Sequence, residues 1–231
     1  VFYQGIVESI ELALNRITNE ANLKNMIHEK GLLIKEVHHR VKNNMQVIIS
    51  LISLQASRQD DDKLRNILND CQNRVRTMAL VHEKLYSSEN FTSININTYI
   101  RSLVLMLMTS YRIDKTKIIV EIDAFDTYFS LNTAIPLGQL VNEILSNAFK
   151  HAFINRAKGV VKISLMPDNS AANRYILTIS DNGDGLPDDT AFPEGGNLGF
   201  QLIDALTKQL KGKISFSGEE GVSIQVLFSD N

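Results

Sequence analysis

The sequence predicts an all-α dimerisation hairpin followed by an α+β two-layer sandwich. Two observations carry this expectation. Through residue 85 the apolar side chains recur at steps of three and four, the period of packed helices. Beyond residue 92, five short segments instead alternate apolar and polar residues, as half-buried strands do, with helical spacing in the stretches between them.

From Val7 onward, Ile10, Leu14, Ile17 and Ala21 follow the spacing of a coiled-coil seam, so residues 1–30 form an N-terminal coiled-coil helix. Gly31 and an adjacent change of phase predict a discontinuity there. A new stripe of Ile34, Val37, Val41, Met45, Ile48 and Ile52 then predicts a helix to about Arg58, and the polar Gln59 to Asp62 a turn. Leu64, Ile67, Cys71, Val75, Met78 and Leu85 are the seam of a helix running back. Two antiparallel helices cannot bury both seams alone, so residues 31–90 are expected to pair with a second copy as a four-helix bundle, a homodimer.

Residues 91–231 form the second domain. KIIVEI (117–122), VVKISL (160–165), YILTIS (175–180), KISFS (213–217) and VSIQVLF (222–228) read as strands, and 97–111, 133–153 and 198–211 as helices on one face of a mixed sheet.

Composition narrows the partners. A net charge of -2 from nearly balanced acids and bases provides no global field toward nucleic acid. The single cysteine, Cys71, excludes an internal disulfide and a cysteine-based zinc site, and is assigned to the core. No apolar run approaches the roughly 20 residues that span a bilayer, which leads us to expect a cytoplasmic chain. Because Val1 falls in mid-pattern, an N-terminal sensor or membrane anchor is expected to be missing from it.

On a helical wheel His39 points about 160° from the Ile34 to Ile52 seam, sharing the outer face with Glu36, Asn43 and Gln46, whereas His38 sits about 60° from the seam. An outward imidazole one turn after a carboxylate suits a nucleophile that a separate domain must reach. In the later domain, NEILSNAFKHA (142–152) sets Glu143, Asn147, Lys150 and His151 along one polar stripe of a helix beginning near Pro136. The Asn147 oxygen suits Mg²⁺, Glu143 a water ligated to it, and Lys150 and His151 phosphate oxygens. DNGDG (181–185) follows a strand, placing Asp181 to accept from an adenine amine beside Gly183 and Gly185. GGNLGF (195–200) opens a helix, where Gly195, Gly196, Leu198 and Gly199 offer backbone amides to phosphate. Leu186 to Glu194 would be a lid.

In these motifs the sequence resembles the histidine kinases, with an ATP-binding part of the kind shared by gyrase, Hsp90 chaperones and MutL. NEILSNAFKHA is similar to their N box, DNGDG to the G1 box and GGNLGF to the G2 box. The resemblance implies Asn147 on Mg²⁺, Glu143 at the catalytic water or base, and Asp181 on the adenine of ATP. EVHHRVKNN (36–44) resembles the phosphoacceptor box of a subgroup related to the HWE kinases, which selects His39 as the residue phosphorylated. Arg40 stands where commoner relatives have an acid, so Glu36 is expected to take the base or orienting role. Asn43 keeps the position tied to dephosphorylation. With no tryptophan, the WxE signature of the HWE group proper is absent; the closing boxes read only KGK (211–213) and GVS (221–223), leaving Gly212 and Gly221 doubtful as nucleotide contacts. The resemblance implies a sensor histidine kinase transmitter that passes its phosphoryl group to a response regulator, with signals entering through residues 1–30. The competing expectations are a gyrase- or Hsp90-like ATPase and a dimerisation module with a degenerate site.

Overall fold

The computed structural model describes residues 2–86, 93–171, 173–185, 198–218 and 221–230, without the side chains of 2–14, 27, 28, 38, 85 and 198. Helix α1 (Phe2–Ser57) turns at 58–61 into α2 (Asp62–Tyr86), which runs back along it. The helix passes through Gly31 unbroken, contrary to the expected discontinuity. One glycine costs a helix about 1 kcal/mol, which the helix formers on either side offset. The expected boundary near residue 90 and the seam residues Ile10 and Leu14 lie outside what is described.

The phase of the hairpin also differs from expectation. Ile49 and Ala56 are buried, and Met45 and Ile52 half-buried, so α2 packs on a stripe rotated from the expected one. Ile34, Val37 and Ile48 of the expected seam are instead exposed, as are Leu51 and Leu54. The Gln72 amide reaches the Ile49 carbonyl at 3.3 Å and Lys42 pairs with Glu83 at 3.0 Å, which fixes the antiparallel register.

After a short pair of strands that the sequence pattern does not predict, β1 (Ser93–Asn95) against β3 (Tyr128–Ser130), come α3 (Ile96–Ser110) and the main sheet. Its strands are β2 (Ile118–Ala124), β4 (Gly159–Pro167), β5 (Arg174–Asp181), β6 (Lys213–Ser217) and β7 (Ser223–Ser229), in the order β2-β4-β5-β7-β6. Only the β2-β4 pair is parallel. Period-two alternation puts Ile163, Ile179 and Ile224 in one row across the sheet, and Leu165, Leu177 and Val226 in the next. That buried face is covered by α3, α4 (Leu131–Asn147) and α5 (Leu198–Gln209), giving the expected two-layer sandwich. Helix α4 starts five residues before Pro136, and it ends in a π-helical turn, Ala148–Ala152. No helix among the described residues is long and apolar enough to cross a membrane.

Helix α4 crosses α3 where Gly138 meets the buried Tyr99, so closely that an added Cβ would overlap the phenol oxygen. Gly138→Ala should therefore destabilise the chain by about 1–2 kcal/mol despite alanine's better helix propensity, because overpacking outweighs it. Denaturant titration checks this, and Tyr99→Phe in the same chain should recover only part of the loss, because the ring carbons Cζ and Cε1 also lie 2.6 and 2.9 Å from the added Cβ.

Candidate functional site

Two places gather chemistry. On α1, His39 is exposed, as are Glu36, Asn43 and Gln46. Measured from the stripe that contacts α2, His39 lies about 110° around the helix, still on the outer surface. The Arg40 Nε donates to Glu36 Oε1 at 2.7 Å, so the carboxylate one turn before the histidine is held by the arginine after it. Both side chains are more than half exposed, and such a pair is easily exchanged for water. The His38 side chain lies outside the described residues.

The second place is a cavity of about 570 Å³ between the end of α4, β5, β7 and the start of α5. Ile144, Ala148, Ile179 and Ile224 give it apolar walls, and Asp181 and Asn147 its polar groups. The Asp181 Oδ1 accepts from the backbone N–H of Gly183 at 2.9 Å and of Val222 at 3.3 Å. Its other oxygen takes no protein hydrogen bond among the described residues, which suits it to an exocyclic amine. Burial pushes this carboxyl above the ordinary aspartate value, against the pull of the two amides and of Arg156. Side chains at Gly183 or Gly221 could not fit, since an added Cβ would overlap the backbone carbonyl of Ala152 or of Asp181. Gly221, with φ +83°, also needs the left-handed conformation. Val222 thus lines the slot and Gly221 packs against the Asp181 backbone, which the shortened GVS box had hidden. Gly212 lies instead in the turn before β6, against the Leu227 carbonyl. The Asp184 N–H caps the Ala152 carbonyl at 2.8 Å, and its carboxylate pairs with Arg156. These contacts tie the DNGDG turn to the π turn, a distortion that is common at functional sites and that helical spacing could not reveal.

A second cavity, of about 730 Å³, adjoins the first, for Asn147 and His151 line both. Glu143, Lys150 and Gly199 face it from the sandwich, and Lys63, Asp70, Cys71 and Arg74 from α2. Cys71 is half-buried here and lines this cavity, so its assignment to the core is corrected. The polar stripe of α4 is not an open surface. Glu143 is only 4% exposed and takes two hydrogen bonds from Arg74, at 2.7 and 2.8 Å, and one from Asn142 at 3.0 Å. Lys150 reaches both carboxylate oxygens of Asp70, whose Oδ1 also lies 3.1 Å from the Tyr111 hydroxyl. Burial pushes the Tyr111 phenol up to about 12, so it stays protonated. Burial and the Lys150 charge hold His151 below the ordinary histidine value, leaving a neutral ring.

The residues present fit a magnesium-bound adenine nucleotide: an apolar slot closed by a fixed carboxylate, an amide oxygen at Asn147, and a lysine and the first turn of α5, with Gly199, beyond it. Gly185 lines the slot. Gly195, Gly196 and the expected lid at 186–194 lie outside the described residues, as does the Leu198 side chain. His39 is not gathered with this set.

A family model described as histidine kinase matches residues 36–111, and one described as histidine kinase-, DNA gyrase B- and HSP90-like ATPase matches residues 132–230. The chain is 27% identical over 198 residues to blue-light-activated histidine kinase 2 of Erythrobacter litoralis, covering 84% of this chain and 56% of that protein. It is 31% identical over 193 residues to the sensor histidine kinase PdtaS of Mycolicibacterium smegmatis, covering 80% of this chain and 36% of that protein. It therefore spans less than two thirds of either relative. The solved histidine kinase domain of an Erythrobacter litoralis blue-light-activated kinase superposes with a TM-score of 0.64 at 26% identity, over 85% of this chain and 90% of that one. With the two models matching in this order, one from the hairpin through α3 and one over the sandwich from α4 onward, the chain belongs to the histidine kinases and corresponds to their transmitter region.

Proposed function

We propose that the chain transfers the γ-phosphoryl group of ATP to His39 and from there to an aspartate of a response regulator. The observation that carries this is the division of parts: an exposed histidine on a helical hairpin, and on a separate sandwich a slot whose buried carboxylate, Asp181, is fixed by two backbone amides. A lone-pair nitrogen of neutral His39 attacks the γ-phosphorus, an N–P bond forms, and the bond to the β,γ-bridging oxygen breaks to leave ADP. Asp181 holds the adenine, and Asn147 is the residue that would hold Mg²⁺, which supplies charge neutralisation on the phosphates. The exposed stripe of Ile34, Val37, Ile48 and Leu51 supports a homodimer, a second copy covering what one hairpin leaves in water.

Incubation with γ-labelled ATP should leave acid-labile, base-stable label on the chain, and a cognate receiver domain should remove it. Release of free phosphate with no retained label would instead indicate an ATPase of the gyrase or Hsp90 sort. Glu36 is the carboxylate placed to orient or deprotonate the ring once Arg40 lets go. Glu36→Gln should slow labelling about 10- to 100-fold while nucleotide affinity stays unchanged, because Glu36 is on the hairpin and not in the slot. Labelling at the wild-type rate across pH would remove Glu36 from the mechanism.

A further inference from the structure

The arrangement around the second cavity implies more than a nucleotide site, an implication that rests on the proposed binding of ATP. A nucleotide whose adenine sits on Asp181 runs past Asn147 and His151, the residues common to both cavities, so its phosphate end enters the second cavity. Gly199, in the first turn of α5, and Lys150 are both there, as a phosphate site requires. Yet the opposite wall of this cavity is α2. Its Asp70 holds Lys150, the cation suited to phosphate, and its Arg74 holds both oxygens of Glu143.

The contact is broader than two ion pairs. Gln139 on α4 donates to the Arg74 carbonyl at 2.9 Å, Thr77 lies 3.4 Å from the Asn142 amide oxygen, and Ser110 donates to Asn73 Oδ1 at 2.7 Å. Val81 is fully buried against the sandwich core. The sandwich is therefore docked on α2, with its phosphate end set away from the phosphoacceptor. The register of the hairpin sets Gln72 opposite Ile49, ten residues from His39 along α1, or about 15 Å at the rise of a helix. From this position the phosphate end faces Asp70 and Arg74, not His39.

We propose that Asp70 and Arg74 are positioning residues that hold the chain in a resting state by competing with MgATP for Lys150 and Glu143. A triphosphate gains no cation from Lys150 while that side chain stays on Asp70, and once Lys150 turns to phosphate the bared Asp70 carboxylate repels the anion for as long as α2 lines the cavity. Glu143 likewise serves a ligated water only after Arg74 releases it. Nucleotide binding and undocking of the sandwich from α2 are then linked, and by linkage each favours the other to the same extent. Undocking is also what frees the sandwich to travel toward His39. The acid and base on α2 thus withhold the site and release it together.

The test measures the affinity of the full chain for magnesium and a non-hydrolysable ATP analogue by calorimetry, in wild type and in Asp70→Asn, Arg74→Gln and the double variant. The resting pairs predict roughly 5- to 50-fold tighter binding in the double variant, within the usual range of coupling between two sites, and faster labelling of His39. Asp70→Glu, which keeps the charge, should bind as wild type does. Hydrogen exchange on wild type provides a second reading that needs no variant: amides of α2 around residues 70–77 should lose protection when the analogue saturates. Unchanged or weaker affinity in the double variant, or full protection of α2 at saturation, overturns the proposal while leaving ATP binding intact. Analogue binding by neither wild type nor variant overturns both.

Discussion

Exchanging His39 for glutamine should reduce the acid-labile, base-stable label left by ATP to background, while His38→Gln keeps it. The two histidines are adjacent, yet one residue on a helix turns a side chain by about 100°, so they cannot face the same partner. His39 is exposed on a surface that α2 does not cover, where a sandwich arriving from outside the hairpin can reach it. Glutamine keeps the polarity and roughly the bulk of the ring but offers no nucleophilic nitrogen, so the helix should persist while the chemistry stops. Circular dichroism and affinity for nucleotide serve as controls, since His39 lines neither cavity. Label that persists in His39→Gln, or vanishes in His38→Gln, would move the phosphoacceptor elsewhere.

Much of this fold was legible because its signals are local. The five longer strands announce themselves by period-two alternation, and the buried rows Ile163, Ile179, Ile224 and Leu165, Leu177, Val226 are that alternation brought into register. The two short strands β1 and β3 carry three residues each, too few to establish a period. The hairpin misled in phase because its apolar residues occupy two neighbouring stripes, and only contact decides which one α2 takes. Gly31 misled because a glycine marks where a helix can break, not where it must.

The site divides the same way. Asp181, Asn147 and the glycines stand in motifs whose order is visible in one dimension. The roles of Asp70 and Arg74 are not, for they act on residues 80 and 69 positions away, and nothing in α2's own periodicity points to α4. The same holds for Val222, whose contribution is a backbone N–H and so leaves no trace in residue type. Glu143 shows the limit best. Its place in the stripe suggested an exposed carboxylate waiting for a metal-bound water, yet its two oxygens are occupied by a guanidinium from another element.

Replacing Asp181 with asparagine should cost at least about 100-fold in affinity for MgATP and a similar factor in labelling at low nucleotide. The amide keeps the shape of the carboxyl, and its oxygen can still accept from Gly183 and Val222. Its nitrogen would then stand where the carboxylate accepts from the adenine amine, setting donor against donor. Losing a hydrogen bond to a charged group costs about 1.5–3 kcal/mol, and an opposed pair in a buried slot adds to that. Stability should move the other way. Because burial raises this carboxyl above its unfolded value, its ionised form is disfavoured in the folded chain, and the penalty is fully present once the pH exceeds the folded value. Near neutral pH, Asp181→Asn removes that penalty, so the nucleotide-free variant should melt no lower than wild type. The raised value also sets the pH dependence of binding: on acidification the wild type should lose the Asp181 contact at a higher pH than an ordinary exposed aspartate would, and the variant should lack that component. The difference between wild type and variant in affinity for adenosine, which carries no phosphate to titrate and whose ring protonation is common to both, isolates it. A variant that binds as tightly as wild type would place adenine elsewhere, whereas one that loses both affinity and stability would make Asp181 a structural residue of the DNGDG turn.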